Sequence, residues 1–247
     1  MTAMAHVPPE AADRLAVVRQ RIARACARSG RAAGAVVLIA VGKTHPPAAL
    51  AELVAVGVTE LGENRVQELL AKQPLVSGAH WHFVGRLQRK KARQLIGRQI
   101  LIHSVDRIAL ADELSRRAAA EGHVQRILVQ VNIGDDPAKG GCPPESALEL
   151  VAYARGLPAL SVEGLMTIPP LPPDDVDAAE AARPHFARLR ELRDEARARW
   201  PEVVHLSMGM SADLESAVEE GATMVRIGTA LFGPRSAGPW QPVGGTP

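Results

Sequence analysis

The sequence predicts an α/β protein built as a single (β/α)8 TIM barrel, with one extra helix in front of the first strand. Short apolar runs alternate with helical segments along the chain, an order typical of a parallel sheet. Eight such strands can be counted, which is the number that closes a barrel, and 247 residues suit one barrel. A doubly wound open sheet is the alternative architecture.

The composition excludes several classes of protein. The chain is 47% hydrophobic and 23% charged with a net charge of +2, which indicates neither a nucleic-acid nor a membrane partner. Its two cysteines predict no disulfide framework and favour a reducing compartment. No apolar run could span a bilayer, and the N-terminus lacks the apolar core of a signal peptide, so a cytoplasmic location is expected.

The first two elements have clear boundaries. Apolar side chains recur at helical spacing over 9–29, between two prolines and Gly30, and predict an amphipathic helix packed on the barrel. The stretch 36–43 is a continuous apolar run that Gly42 and Pro46 stop. Such a run is typical of a fully buried parallel strand.

The later elements follow the same alternation within one domain, 1–233, and a flexible tail is expected over 234–247. Asp106 is expected to cap the helix after the fourth strand, and Gly122 to end it. The segment 134–144 is a loop dense in turn residues. The other strands are predicted at 60–64, 81–85, 100–105, 126–132, 161–168, 203–208 and 224–228. The other helices are predicted at 47–56, 65–72, 87–96, 106–122, 145–155, 176–199 and 212–220, with a last turn at 229–232.

Lys43 ends the first strand, at the edge of the sheet where α/β proteins place their ligands. Partial desolvation there favours the neutral amine, which can attack a carbonyl and form a Schiff base. The stretch taken alone favours a lysine that extends to the surface. The other strand ends reverse that interpretation.

The loops after the seventh and eighth strands have the features of a phosphate site. The segments MGMSAD and RIGTA offer small residues, hydroxyls and backbone N–H groups, which favour a phosphate dianion. The same residues also fit tight turns that need Gly and Ser for steric and capping reasons. Together with a lysine across the barrel mouth, the loops suggest an aldehyde that carries a phosphate. Pyridoxal 5′-phosphate is such a molecule.

A resemblance to a known family rests on motifs spread over 36–233. They are AVGKTHP, LGENRVQE, WHFVGRLQRKK, IHSVD, EGLMTIPP and LSMGMSADLESAVEEGATMVRIGTALFG. With these motifs the chain resembles the pyridoxal-phosphate homeostasis protein family, which is similar to the N-terminal barrel of alanine racemases. The resemblance implies a protein that holds pyridoxal phosphate as an internal aldimine and acts in intracellular vitamin B6 homeostasis without robust catalysis.

The resemblance also implies roles for individual residues. Lys43 is the expected aldimine lysine, Ser211, Gly228 and Thr229 hold the phosphate, and Arg226 lies near the pyridine nitrogen. Asn64, at the end of the second strand, is a further candidate for the ring substituents. The expected cofactor-binding residues are Lys43, Asn64, Met208, Ser211, Arg226, Gly228 and Thr229, with no catalytic or metal-binding residue.

Two observations favour a carrier over a pyridoxal-phosphate-dependent racemase or lyase, which stays as the alternative. Arg226 disfavours a second positive charge on the ring nitrogen, which promotes carbanion chemistry. Racemases manage with an arginine there, but they also need a second proton-transfer group, a tyrosine supplied by another domain. The only tyrosine, Tyr153, falls inside the predicted helix 145–155, where we interpret it as packing. The expected partners are the cofactor and enzymes that require it, and the chain is expected to be a monomer.

Several other residues have a structural interpretation that we prefer. We interpret His82 and His103 as core histidines and Cys142 as a structural thiol. His45, close to Lys43, is equally compatible with flanking the cofactor and with a structural role. The basic patch, which comprises Arg86, Arg89, Lys90, Lys91 and Arg93, is interpreted as a solvated helix face and not as a partner surface.

Overall fold

The residues that the structure describes, 9–233 and Trp240 of a computed structural model, place eight parallel strands in a barrel closed in chain order. Each strand pairs with its sequence neighbours, and β8 pairs with β1, as between Ile39 and Arg226. Closure confirms the predicted barrel and excludes the open sheet. The strands are β1 Val37–Val41, β2 Glu60–Glu63, β3 His80–Phe83, β4 Leu101–Val105, β5 Gln125–Gln130, β6 Leu160–Met166, β7 His205–Ser207 and β8 Met224–Ile227.

Helices follow the strands and surround the barrel in the order that the sequence predicts. They are α1 Pro9–Arg28, α2 Pro47–Ala55, α3 Val66–Lys72, α4 Arg89–Ala92, α5 Ile108–Ala120, α6 Ala147–Gly156, α7 Ala178–Arg199, α8 Leu214–Glu219 and α9 Thr229–Phe232. No helix of the described chain is long and apolar enough to cross a membrane.

The barrel has two hydrophobic cores, because side chains along each strand point alternately outward and inward. The larger core lies between the strands and the helices, and includes Leu206 and Val225. The smaller core fills the barrel interior, and includes Ile39, Leu128 and Met224. Because successive side chains of a strand point to opposite faces, each strand contributes to both layers. The same alternation decides which strand-end residues can reach a ligand.

Two helix predictions need correction. The predicted basic helix 87–96 is a single α-helical turn, Arg89–Ala92, because the backbone beyond it forms the tighter i to i+3 bonds, as from the N–H of Leu95 to the carbonyl of Ala92. The predicted cap Asp106 lies outside α5, which begins at Ile108 with Arg107 at its N-cap position, and the Asp106 carboxylate forms an ion pair with Arg107 instead. Gly122 follows the helix with a φ of +67°, as a helix-ending glycine should.

Helix α1 contacts the segments that follow β7 and β8. It packs against α8 and α9. The Arg14 guanidinium donates to the carbonyl of Leu231 (2.8 Å), and that of Arg21 donates to the carbonyl of Ser211 (3.0 Å). The extra N-terminal helix therefore supports the carboxyl-end loops of the barrel. Of the predicted flexible tail, 234–247, only Trp240 lies within the described residues.

Candidate functional site

A cavity of about 240 Å³ opens at the carboxyl ends of the strands. This is the end at which (β/α)8 barrels carry their functional sites. The first, second and eighth strands and the loops after β7 and β8 all contribute to it. Its lining residues are Val41, Lys43, His45, Asn64, Val84, Ile168, Met210, Ser211, Ala212, Arg226, Gly228 and Thr229.

Six of the seven residues predicted to bind the cofactor line this one cavity; Met208 does not. The alternation of β7 explains the exception. Ser207 faces the barrel interior, so Met208, the next residue, faces outward and is completely buried in the core between barrel and helices. Met210, two residues further on, lines the cavity in its place. The side chain of Met208 therefore does not line the cavity, and that of Met210 does.

The turn that carries Lys43 is held by backbone contacts on both sides of that residue. The ammonium group of Lys72 donates to the carbonyl of Gly42 (2.9 Å). On the other side, the backbone N–H of Thr44 donates to the carboxylate of Glu68 (3.0 Å). Thr44 has a φ of +69°, a backbone conformation that threonine rarely adopts. Contacts on both flanking residues hold this turn, and therefore the Lys43 backbone, in place.

The support behind this turn is a buried charge cluster, which comprises Glu63, Glu68 and Lys72. The Lys72 ammonium lies 2.6 Å from Glu63 and 2.9 Å from Glu68. Burial raises the pKa of Glu63 to about 7, although the neighbouring Lys72 charge opposes that shift. This cluster was not predicted from the sequence. Glu63 faces outward from β2 and Lys72 ends α3, so only the packing of strand on helix brings them together.

Asn64 lines the cavity and carries an unsatisfied polar atom. Its Oδ1 is buried and has no hydrogen-bond partner among the described residues. Buried polar atoms are usually paired, so this unpaired oxygen is a cost to the structure as described. The backbone of the next strand lies very close, because a Cβ atom at Gly85 would stand 2.0 Å from the Asn64 carbonyl oxygen.

Arg226 supplies a buried cation to the inner wall of the cavity. Its guanidinium donates to the hydroxyl of Ser207 (2.7 Å) and to the carbonyl of Thr167 (2.8 Å). Burial lowers the pKa of Arg226 to about 10, while the nearby Asp213 carboxylate opposes the shift. The side chain is therefore still charged at neutral pH.

The loops after β7 and β8 are bonded to each other. The backbone N–H of Ala230 donates to the hydroxyl of Ser211 (3.3 Å). The backbone N–H of Met210 donates to the carboxylate of Asp213 (2.5 Å), whose pKa burial raises. Ser211, Gly228 and Thr229 thus meet along one wall of the cavity, where small residues leave room for a ligand.

His45 lines the cavity. The sequence had left open whether this residue flanks the cofactor or has a structural role. Its ring stacks on that of Phe232, with centroids 4.6 Å apart and planes inclined by 18°. The stacking joins the turn after β1 to the last turn of α9. His45 therefore has a structural contact and also lines the cavity.

Other residues that the sequence singled out lie away from this cavity. Tyr153 is on α6, partly exposed, and its hydroxyl donates to Asp112 (2.8 Å), so it is a surface contact and not core packing. Cys142 is buried, and burial raises the pKa of its thiol to about 12, which confirms an unreactive structural cysteine. Four residues of the basic patch are exposed and Lys91 is half-buried. Among the described residues, no group of three or more His, Cys, Asp or Glu side chains is arranged so that it could hold a metal ion.

Two known proteins match this chain over more than nine-tenths of its length. The chain is 47% identical over 228 residues to the pyridoxal phosphate homeostasis protein of Aquifex aeolicus, a match that covers 91% of this chain and 98% of the relative. It is 42% identical over 231 residues to the protein of the same name from Pseudomonas aeruginosa, covering 92% and 96% of the two chains. The chain belongs to the pyridoxal phosphate homeostasis protein family. A family model described as the alanine racemase N-terminal domain matches residues 14–236.

A solved structure of a homeostasis-family member resembles this one closely. It is PipY of Synechococcus elongatus with pyridoxal phosphate bound, which is 38% identical and superposes with a TM-score of 0.74. The match covers 87% of this chain and all of that protein. The relatives named here carry the name of a homeostasis protein and not that of an enzyme.

Proposed function

We propose that this protein binds pyridoxal 5′-phosphate in the carboxyl-end cavity, attached through Lys43, and acts in intracellular vitamin B6 homeostasis. The observation that carries the proposal is that one cavity gathers a lysine, a buried arginine and two small-residue loops. The solved relative with bound pyridoxal phosphate supports the same ligand.

The residues of the cavity fit the three parts of the ligand. Pyridoxal phosphate supplies an aldehyde, which condenses with a lysine amine when the cofactor is bound. Lys43 provides that amine from a turn held on both sides. Asn64 lines the cavity and offers its side-chain amide to the ring substituents. The hydroxyls and backbone N–H groups of Ser211, Gly228 and Thr229 suit the phosphate dianion.

The absence of Tyr153 from the cavity lining, more than the charge of Arg226, favours a carrier over a racemase. The charged guanidinium of Arg226 disfavours a proton on the ring nitrogen, and that proton is what lets the ring accept electrons from a carbanion. Tyr153 lies on α6, hydrogen-bonded to Asp112, and cannot serve as a second acid–base group in the cavity. The chain therefore holds the cofactor without the groups that amino-acid chemistry requires.

The role of a carrier implies partners and a location. We propose that the protein works as a monomer in the cytoplasm and passes the cofactor to enzymes that require it. The near-neutral net charge of +2 gives no basis for a nucleic-acid partner. Transfer to an apo-enzyme is measured by the recovery of that enzyme's activity, and the oligomeric state by sedimentation.

A spectroscopic titration tests the ligand and its attachment together. Addition of pyridoxal phosphate to the purified protein is expected to shift the absorption of the free aldehyde, and the shift is expected to be lost in Lys43→Ala. Lys139→Ala, a lysine on the loop 134–144 that does not line the cavity, serves as the control for surface lysines. An equal shift in wild type and Lys43→Ala would contradict attachment through Lys43.

A further inference from the structure

A chain of hydrogen bonds crosses the barrel interior and ends at the arginine of the cavity. From Arg226 it passes to the hydroxyl of Ser207 (2.7 Å) and on to Nδ1 of His103 (2.8 Å). His103 Nε2 then lies 2.9 Å from His82 Nδ1, and His82 Nε2 lies 2.8 Å from the carboxylate of Glu60. Five side chains on β2, β3, β4, β7 and β8 are thus linked through the core.

The chain reaches solvent at the opposite end of the barrel. A cavity of about 570 Å³ opens at the amino ends of the strands, and Glu60 and His82 line it. His80, whose Nδ1 lies 2.8 Å from the other oxygen of Glu60, is largely exposed there. His103 and Ser207, in contrast, are completely buried. The interior part of the chain therefore exchanges protons with solvent only through its ends.

The two ends of the chain fix the direction of each hydrogen bond. A guanidinium can only donate, and an ionised carboxylate can only accept. Ser207 must then donate its proton to His103 Nδ1, His103 must donate from Nε2 to His82, and His82 must donate from Nε2 to Glu60. Burial opposes ionisation of Glu60, but the hydrogen bonds from His82 and His80 outweigh it and lower its pKa overall. Burial, with His82 and Arg226 nearby, lowers the pKa of His103, so the inner imidazole stays neutral.

We propose that His103 is a positioning residue that acts through Ser207 to orient Arg226, and that His82 and Glu60 set its tautomer from the amino-end cavity. A neutral His103 with its proton on Nε2 draws the Ser207 proton inward. This leaves a lone pair of the Ser207 oxygen facing the guanidinium, which therefore keeps a fixed orientation. The inference rests on the proposed function only for its effect on ligand binding.

Titratable and charged side chains from neighbouring elements surround the chain, in addition to its own members Glu60 and Arg226. They are His80 on β3, His123 after α5, Arg126 on β5, Glu163 on β6, His205 on β7 and Asp213 after β7. Burial lowers the pKa of His205, so that imidazole tends to remain neutral as well. Arg126 is paired with Glu163 at 2.6 Å.

Nitrogen-15 NMR of the full chain, labelled at histidine and free of cofactor, tests the chain directly. The His103 signals, assigned by their loss in His103→Gln, are expected to report protonated Nε2 and bare Nδ1 at pH 8. The same tautomer is expected in His123→Gln, which lines the amino-end cavity but lies outside the chain. Protonated Nδ1 of His103 at pH 8 would overturn the proposal.

Ligand affinity provides the second readout. Pyridoxine 5′-phosphate, which lacks the aldehyde, measures ring and phosphate binding without attachment to lysine. Loss of the hydrogen bond between His103 and Ser207 leaves the Arg226 guanidinium less well oriented, and is expected to weaken binding of this compound about tenfold in His103→Gln. His123→Gln, in the same amino-end cavity but outside the chain, is expected to bind as wild type does.

The two readouts separate this proposal from the proposed function. Wild type that fails to bind either phosphate compound would contradict the function, while the NMR result would still decide the direction of the chain. Wild-type binding with equal affinity in His103→Gln would overturn the positioning role and leave the function standing.

Discussion

The ammonium group of Lys72 lies 2.6 Å from a carboxylate oxygen of Glu63, and both side chains are completely buried. The same ammonium contacts Glu68 and the carbonyl of Gly42, the residue before Lys43. A cluster of three buried charges therefore stands directly behind the turn that presents the proposed cofactor lysine. Buried charges are costly unless they are paired, so this cluster should affect both stability and the site.

Removal of the Lys72 charge is expected to destabilise the protein strongly. In Lys72→Met the two carboxylates keep their buried positions without a counter-ion. Breaking a buried ion pair in this way lowers the free energy of unfolding by about 3–5 kcal/mol. Urea unfolding measures the change, with the exposed Lys90→Met as a control expected to stay within about 0.5 kcal/mol of wild type. Equal stability of Lys72→Met and Lys90→Met would show that the cluster contributes little.

Glu63 is expected to give the protein a component of stability that falls as pH rises. Burial raises the pKa of Glu63 to about 7 in the folded protein, above its ordinary value of 4.5. The folded state therefore binds this proton more tightly than the unfolded state does. The contribution is complete below pH 4.5 and is lost as pH rises towards 7.

Glu63→Gln isolates that component, because glutamine matches the protonated carboxyl in shape and does not titrate. The free energy of unfolding of wild type, measured relative to Glu63→Gln, is expected to fall between pH 4.5 and about 7. Subtraction of the two curves removes the contributions of the buried histidines. A relative stability that rises with pH would mean that the ionised form is the favoured one.

Ser211 is expected to distinguish phosphorylated from unphosphorylated ligands. Its hydroxyl faces the cavity between the loops after β7 and β8. Loss of one hydrogen bond to a charged group in Ser211→Ala should weaken pyridoxal phosphate binding about tenfold and leave pyridoxal binding nearly unchanged. Equilibrium titration with both compounds measures the ratio. Parallel loss of both affinities would place Ser211 in a general structural role.

Racemisation of alanine is expected to be negligible beside that of a dedicated racemase. The cofactor-loaded protein has Arg226 at the inner wall and no tyrosine near the cavity, since its only tyrosine lies on α6. Chiral chromatography after long incubation with L-alanine measures the rate, and an alanine racemase provides the comparison. Conversion at a comparable rate would support the alternative of a racemase or lyase.

The barrel fold could be predicted from the sequence because its strands and helices follow from short-range patterns of apolar residues. Continuous apolar runs indicated buried parallel strands, and their regular alternation with helices gave the strand count. The six cavity residues could be predicted because barrels place their sites at the carboxyl ends of strands, and because the motifs of the resembled family assign roles to them. The extent of the helix predicted at 87–96 was wrong, because an apolar pattern does not separate an α-helix from tighter turns.

The misplaced and missed residues depend on side-chain direction and long-range packing. Met208 lies at a strand end but points outward, and one residue of register separates it from the interior. In the sequence Lys72 is an ordinary helix lysine, and only the fold brings it into contact with Glu63. The link between His103 and Ser207 joins strands that are 104 positions apart in the chain, a separation that no local pattern reports.

Borohydride reduction of the cofactor-loaded protein, followed by peptide mass mapping, tests attachment to Lys43 most directly. Reduction makes the bond between cofactor and lysine permanent, so the modified residue can be read from the peptide masses. The account predicts one pyridoxyl group, confined to the peptide that contains Lys43 and absent from Lys43→Ala. An adduct spread over surface lysines, or no adduct at all, would contradict it.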